Sequence, residues 1–142
     1  MPCNRQGRAA AGTVARMSET SQAARNKQLV VDGFTQFAAG NIDVLRTLLR
    51  EDFIEHSPGN PSGREAFIAF IAQAPVARAR LDLKRVIADD DHVVMHYHMT
   101  TPDDPRGVAV VDIWRLIDGQ IVEHWDAVQP VPEAAQIPHG MF

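Results

Sequence analysis

A single cysteine, Cys3, rules out any disulfide within the chain. A lone thiol in a polar stretch suits a reducing compartment, so a cytoplasmic location is expected. No apolar run approaches the roughly 18 residues of a membrane span, and the first residues lack the continuous apolar segment of a secretory signal. No membrane partner is expected. Basic charge is also scarce: 14 Lys and Arg against 18 Asp and Glu leave a net charge of -4, the wrong sign for a dedicated nucleic-acid binder. There is no phosphate-cradling glycine loop and no strained serine elbow. What the sequence does have is 142 residues with 45% apolar content, enough for one self-sufficient core but not comfortably two.

The organisation follows from local pattern. Residues 1–24 carry scattered Arg, Gly, Ala and Ser without apolar period, and they read as a disordered lead-in. Met17 is also a plausible start codon, in which case the preceding residues have no role. Residues 25–130 form the domain, and Pro130, Pro132 and Pro138 leave 131–142 as a loose tail.

Within the domain, Val30, Phe34, Phe37 and Ala38 recur at helical spacing and Gly40 stops them. Asn41 can cap a second, shorter helix with Ile42, Leu45, Leu48 and Leu49 on one stripe. Asp52 to Ser57 reads as a short strand before the turn cluster Pro58-Gly59-Asn60-Pro61, and Gly63 to Ala74 as a third helix. Strands follow over 80–88, 92–100, 108–117 and 120–129, with 101–106 a loop and Asp118-Gly119 a two-residue hairpin turn. Three helices ahead of an antiparallel, curved sheet make an α+β fold whose concave face can hold a ligand.

Polar residues inside apolar strands are the informative ones, because burying them is costly without a partner. His56, His96, His98 and His124 fall in or beside strands, as do Asp112, Glu123 and Asp126. His96 and His98 share a face opposite Met95, Tyr97 and Met99. In the last hairpin, ideal pairing from the two-residue turn sets Asp112 across from Trp125 and Trp114 across from Glu123. His124 and Asp126 then fall on the other face. A β-bulge would shift the parity and bring Asp126 round to Asp112.

The stretch Val111-Asp112-Ile113-Trp114-Arg115-Leu116-Ile117-Asp118-Gly119-Gln120-Ile121-Val122-Glu123-His124-Trp125-Asp126 resembles the SnoaL-like polyketide cyclase family of the NTF2-like superfamily. Asp52 to Pro58 with Gly63 to Phe67 adds to the likeness, which runs over about 25–130. The resemblance implies a cone-shaped α+β barrel and a cofactor-free pocket enzyme that closes rings by aldol condensation. It implies Asp126 as the acid and base, and Asp112 at the position that supplies an oxyanion-hole carboxylic acid in related isomerases; the cyclases carry a histidine thereabouts.

Proton removal beside a carbonyl needs a base within reach and a donor for the enolate oxygen. Asp112, Asp126, His56 and His98 are the candidate catalytic groups, with His96, His124, Trp114, Trp125 and Phe37 as substrate-binding candidates. For each polar residue the bland alternative is a structural hydrogen bond or a solvated position; for the aromatics it is core. A metal held by His96, His98 and His124 or Asp112 is conceivable, but no metal or other cofactor is expected. The expected substrate is a small apolar carbonyl or polyketide-like molecule and the expected assembly a homodimer. A non-catalytic binding or dimerisation domain, and a hydrolase or dehydratase using the same pocket, are the competing functions.

Overall fold

The computed structural model describes residues 20–142, so the reading of the first 19 residues lies outside it. Its elements are α1 (Gln22–Ala38), α2 (Val44–Leu48), β1 (Leu49–Glu55), α3 (Arg64–Ile71), β2 (Arg80–Ala88), β3 (His92–Thr101), β4 (Asp104–Ile117) and β5 (Gln120–Pro130), with short 3-10 turns at Pro75–Arg78 and Ala134–Gln136. None of the helices is long and apolar enough to cross a membrane.

Each helix forms where the sequence offers an apolar stripe. In α1 the Ser21 hydroxyl accepts the Ala24 N–H and caps the start. Gly33 sits where α1 meets α2: a Cβ there would lie 2.3 Å from Leu48 Cδ1, so any larger residue would force the Leu48 side chain to move. The buried Asn26 donates to the Asp90 carbonyl at 2.8 Å and ties α1 to the turn between β2 and β3. The second helix is shorter than its stripe suggests and starts after Asp43 rather than Asn41, with no side-chain cap.

The sheet order is β1-β5-β4-β3-β2. Neighbours pair antiparallel except β1 with β5, which run parallel, so the sheet is mixed. It is also open, since β1 and β2 remain edges and the barrel does not close. The helices cover one face: α1 packs on β2 and β3, and α3 on β1. Between these layers lies a core that includes Leu49, Phe53, Phe67, Val93 and Met95, with the Phe53 and Phe67 rings 5.0 Å apart.

Asp118 and Gly119 take positive φ of 49° and 76°, as a type I′ turn requires, and Ile117 pairs with Gln120. Ideal register lasts only to Leu116 opposite Ile121. Arg115 then faces Glu123, leaving Val122 as an extra residue, and from there Trp114 faces His124 and Asp112 faces Asp126. The ideal pairing of Asp112 with Trp125 is thus corrected by a β-bulge. The expected loop over 101–106 is shorter, because Thr101 pairs with Asp104 and the Asp104 carboxylate accepts the Gly107 N–H at 3.0 Å.

Candidate active site

An apolar cavity of about 280 Å³ opens between the helices and the concave face of the sheet. Phe34 and Phe37 from α1, Phe67 and Phe70 from α3, and Met95 and Val110 from the strands form much of its wall. Its polar groups are few: Ser57, Asn60, Tyr97, Asp112, His124 and Asp126. The Val122 bulge is what brings His124 and Asp126 to Asp112. With the extra residue in β5, His124 and Asp126 turn inward beside Asp112 and Trp114 on β4.

Beneath the cavity runs a buried chain of charges. His124 Nδ1 lies 2.9 Å from both oxygens of Glu55, and Nε2 lies 3.1 Å from Asp112 Oδ1. The side chains are 5% exposed for His124, 0% for Glu55 and 10% for Asp112. Burial opposes a charge on the imidazole, but hydrogen bonds and attraction from Asp112 and Glu55 outweigh it, and the pKa is pushed up to about 9. At neutral pH the ring is therefore an imidazolium donating at both nitrogens. Trp114 stacks on it with centroids 3.8 Å apart and an interplanar angle of 19°.

Glu55 was not among the residues expected to matter. Its signal was present: in β1 it shares a face with Phe53, two residues earlier, and both are buried. It arrives opposite His124 through the parallel pairing with β5. It also accepts the Ser57 N–H at 2.8 Å, and Ser57 Oγ in turn donates to Asp126 Oδ2 at 2.8 Å. One buried carboxylate thus anchors both His124 and the group that holds Asp126.

Tyr97 is a second omission. Its phenol lines the cavity, and burial, with Asp112 and then Asp126 nearby, raises its pKa well above the ordinary value. It stays a neutral donor at physiological pH. Trp114 Nε1 is buried without a hydrogen-bond partner among the described residues.

His56, His96, His98 and Trp125 lie on the opposite, outer side of the sheet. His56 pairs with Glu123 at 2.7 Å and stacks on Trp125 at 4.8 Å. Glu123 also takes Arg115, and these partners hold its carboxyl below the usual range. His98 Nε2–H donates to the Arg106 carbonyl oxygen at 2.7 Å. His96 contacts Arg85, and burial followed by the charge of Arg85 lowers its pKa. The tail folds back here, with the Phe142 ring 5.5 Å from His96 and 4.6 Å from His98. The reason is strand alternation: Met95 and Tyr97 point to the core, so His96 and His98 cannot. Phe37 lines the cavity as expected of it, and Trp125 does not.

The same parity separates His96 and His98 from Asp112 and His124, so that ligand set is not assembled. Among the described residues a different trio, Asp112, His124 and Asp126, brings potential metal-ligating atoms within 4.8 Å of one another. In that trio His124 Nε2 already shares a proton with Asp112.

What this arrangement offers chemically is a carboxylate, Asp126, facing a proton-bearing imidazole and a neutral phenol in a poorly hydrated hollow. Solved structures with this fold are numerous. An NTF-2 like protein of unknown function from Burkholderia xenovorans LB400 superposes with a TM-score of 0.69 at 18% identity, over 83% of this chain and 96% of that one. A protein from Kribbella flavida DSM 17836, provisionally described as a ketosteroid isomerase, gives 0.66 at 20% identity over 82% and 89%. One from Jannaschia sp. CCS1, provisionally described as a SnoaL-like polyketide cyclase, gives 0.64 at 21% over 80% and 91%. A comparison with curated proteins found no match. The profile of the SnoaL-like domain matches residues 30–124, most of the chain, and with the α+β architecture and the inward-turned β4–β5 hairpin already described, the chain belongs to the SnoaL-like domain family.

Proposed function

We propose that the protein is a cofactor-independent acid–base enzyme of the cyclase or isomerase type, acting on a small apolar carbonyl compound. The observation that carries this reading is Asp126 set beside the buried Glu55–His124–Asp112 chain on the wall of an apolar cavity. The descriptions of the Kribbella and Jannaschia proteins as isomerase and cyclase point the same way.

In this reading Asp126 removes the proton next to the carbonyl. Ser57 fixes its orientation by donating to one oxygen and leaves it on the cavity wall. As the C–H bond breaks, charge moves to the carbonyl oxygen, and the Tyr97 hydroxyl is the donor that receives it, with the positive charge of the His124 imidazolium close by. Asp112 does not act as base here. It keeps the His124 proton in place, as Glu55 does from the other side. Asp126 then returns the proton to another carbon for an isomerisation, or, for a ring closure, the enolate carbon attacks a second carbonyl and Asp126 returns the proton to the alkoxide oxygen that forms. The outer-face residues His56, His96, His98 and Trp125 take no part.

The test is conversion of 3-cyclohexen-1-one to its conjugated isomer, followed by the rise in enone absorbance. Wild-type protein is expected to accelerate it, and Asp126→Asn to lower the rate by about 10²- to 10⁴-fold. Equal rates for the two proteins, or no acceleration by wild type, would overturn the proposal. His56→Ala is expected to keep full activity, which separates the inner from the outer face.

A further inference from the structure

The polar end of the cavity is unusual in its charge. Glu55, Asp112 and Asp126 supply three carboxylates and His124 one imidazolium, which leaves two formal negative charges uncompensated. Among the described residues, no lysine or arginine lines the cavity. The nearby guanidinium groups are engaged elsewhere: Arg115 with Glu123 on the outer face, Arg50 with Asp52, and Arg46 with Glu65 on the surface. The walls are apolar, so the field of these charges is weakly screened inside. Phe34 and Phe67 line the cavity as well, and aromatic rings attract cations.

We infer that the cavity selects its occupants by charge: it takes small apolar amines as ammonium ions, takes neutral apolar molecules more weakly, and excludes carboxylates and phosphates of the same shape. An anion entering here loses its water beside two like charges and finds no guanidinium or ammonium to replace it. An ammonium loses its water beside opposite charges instead. Asp126 is only half-buried, and Ser57 engages one of its two oxygens, so an incoming N–H group can reach it.

This inference rests on the same cavity as the proposed chemistry but on binding alone. It narrows that chemistry in two ways. The carbonyl substrate carries no free acid group. An amine lodged against Asp126 occupies the base, so amines act as competitive inhibitors of the carbonyl reaction.

The test is calorimetric titration of the full-length protein at pH 7.5 with three matched probes, indan-2-amine, indan-2-ol and indane-2-carboxylate. The amine is expected to bind at least about tenfold more tightly than the alcohol, and the carboxylate to give no binding heat at millimolar concentration. Asp126→Asn is expected to bring amine and alcohol within about threefold of each other. Thermal melting checks that this variant is folded; if it is not, Asp112→Asn removes one of the same charges and replaces it. Binding of the carboxylate as tightly as the alcohol, an amine no tighter than the alcohol, an unchanged amine preference in the variant, or no binding of any probe would each overturn the inference. Loss of enone isomerisation with the charge order intact would sink only the catalytic proposal, and the converse result only this one.

Discussion

Replacing Glu55 by Gln keeps a hydrogen-bond acceptor beside His124 Nδ1 but removes one of the two negative charges that hold its proton. In the folded protein the imidazolium has a pKa of about 9 against an ordinary 6.5. Since the folded value is the higher one, the proton stabilises the fold fully below about pH 6.5, and that contribution declines until it is gone above about pH 9. A shift of this size corresponds to about 3 kcal/mol, and the ring is well enough buried for most of it to count. At roughly 3 °C per kcal/mol for a domain of this length, wild-type Tm should fall by about 10 °C between pH 6 and pH 9.5. The assay is a series of thermal melts over that range, with the His124 imidazole followed by NMR titration. Glu55→Gln should be less stable at pH 6, should show a flatter curve, and should move the His124 midpoint down towards the ordinary value. A wild-type curve that is level through the window, or a variant curve as steep as wild type with an unmoved midpoint, would refute the reasoning.

Two further predictions follow from particular positions. Tyr97 is the only tyrosine in the chain, so absorbance at 295 nm reports its ionisation alone; the rise should begin well above pH 10, and half-ionisation near pH 10 in folded protein would contradict its burial beside Asp112. Gly107→Ala should cost at least about 2 kcal/mol in urea denaturation, because φ is +64° and a Cβ would lie 2.0 Å from the Met99 carbonyl oxygen; a loss below about 0.5 kcal/mol would show that the β3–β4 connection yields easily.

Much of the fold was legible because its signals are local. The stripe Val30, Phe34, Phe37 marks α1, and Asp118-Gly119 marks the tightest turn and the residues that flank it. The parallel partnership of β1 with β5 was not legible, since nothing in Leu49–Glu55 names a partner some 70 residues away. The site was read in part for the same reason. Asp112 and Asp126 stood out as charges in apolar strands, but whether they share a face depends on one unpaired residue, Val122, which no local pattern announces. His96 and His98 share parity with each other, yet parity alone does not say which side is inside; the burial of Met95 and Tyr97 does. Glu55 was overlooked because a lone glutamate in a short strand looks like a solvated edge residue until His124 is placed beside it.

Because of Val122, the identity of the inward residues on β5 is a matter of counting. An alignment with a relative that closes a gap at that position exchanges Glu123 for His124 and Trp125 for Asp126, and so compares an outer-surface ion pair with the lining of the cavity. Matching such proteins correctly means tracking strand length through the hairpin before reading any letter beyond it.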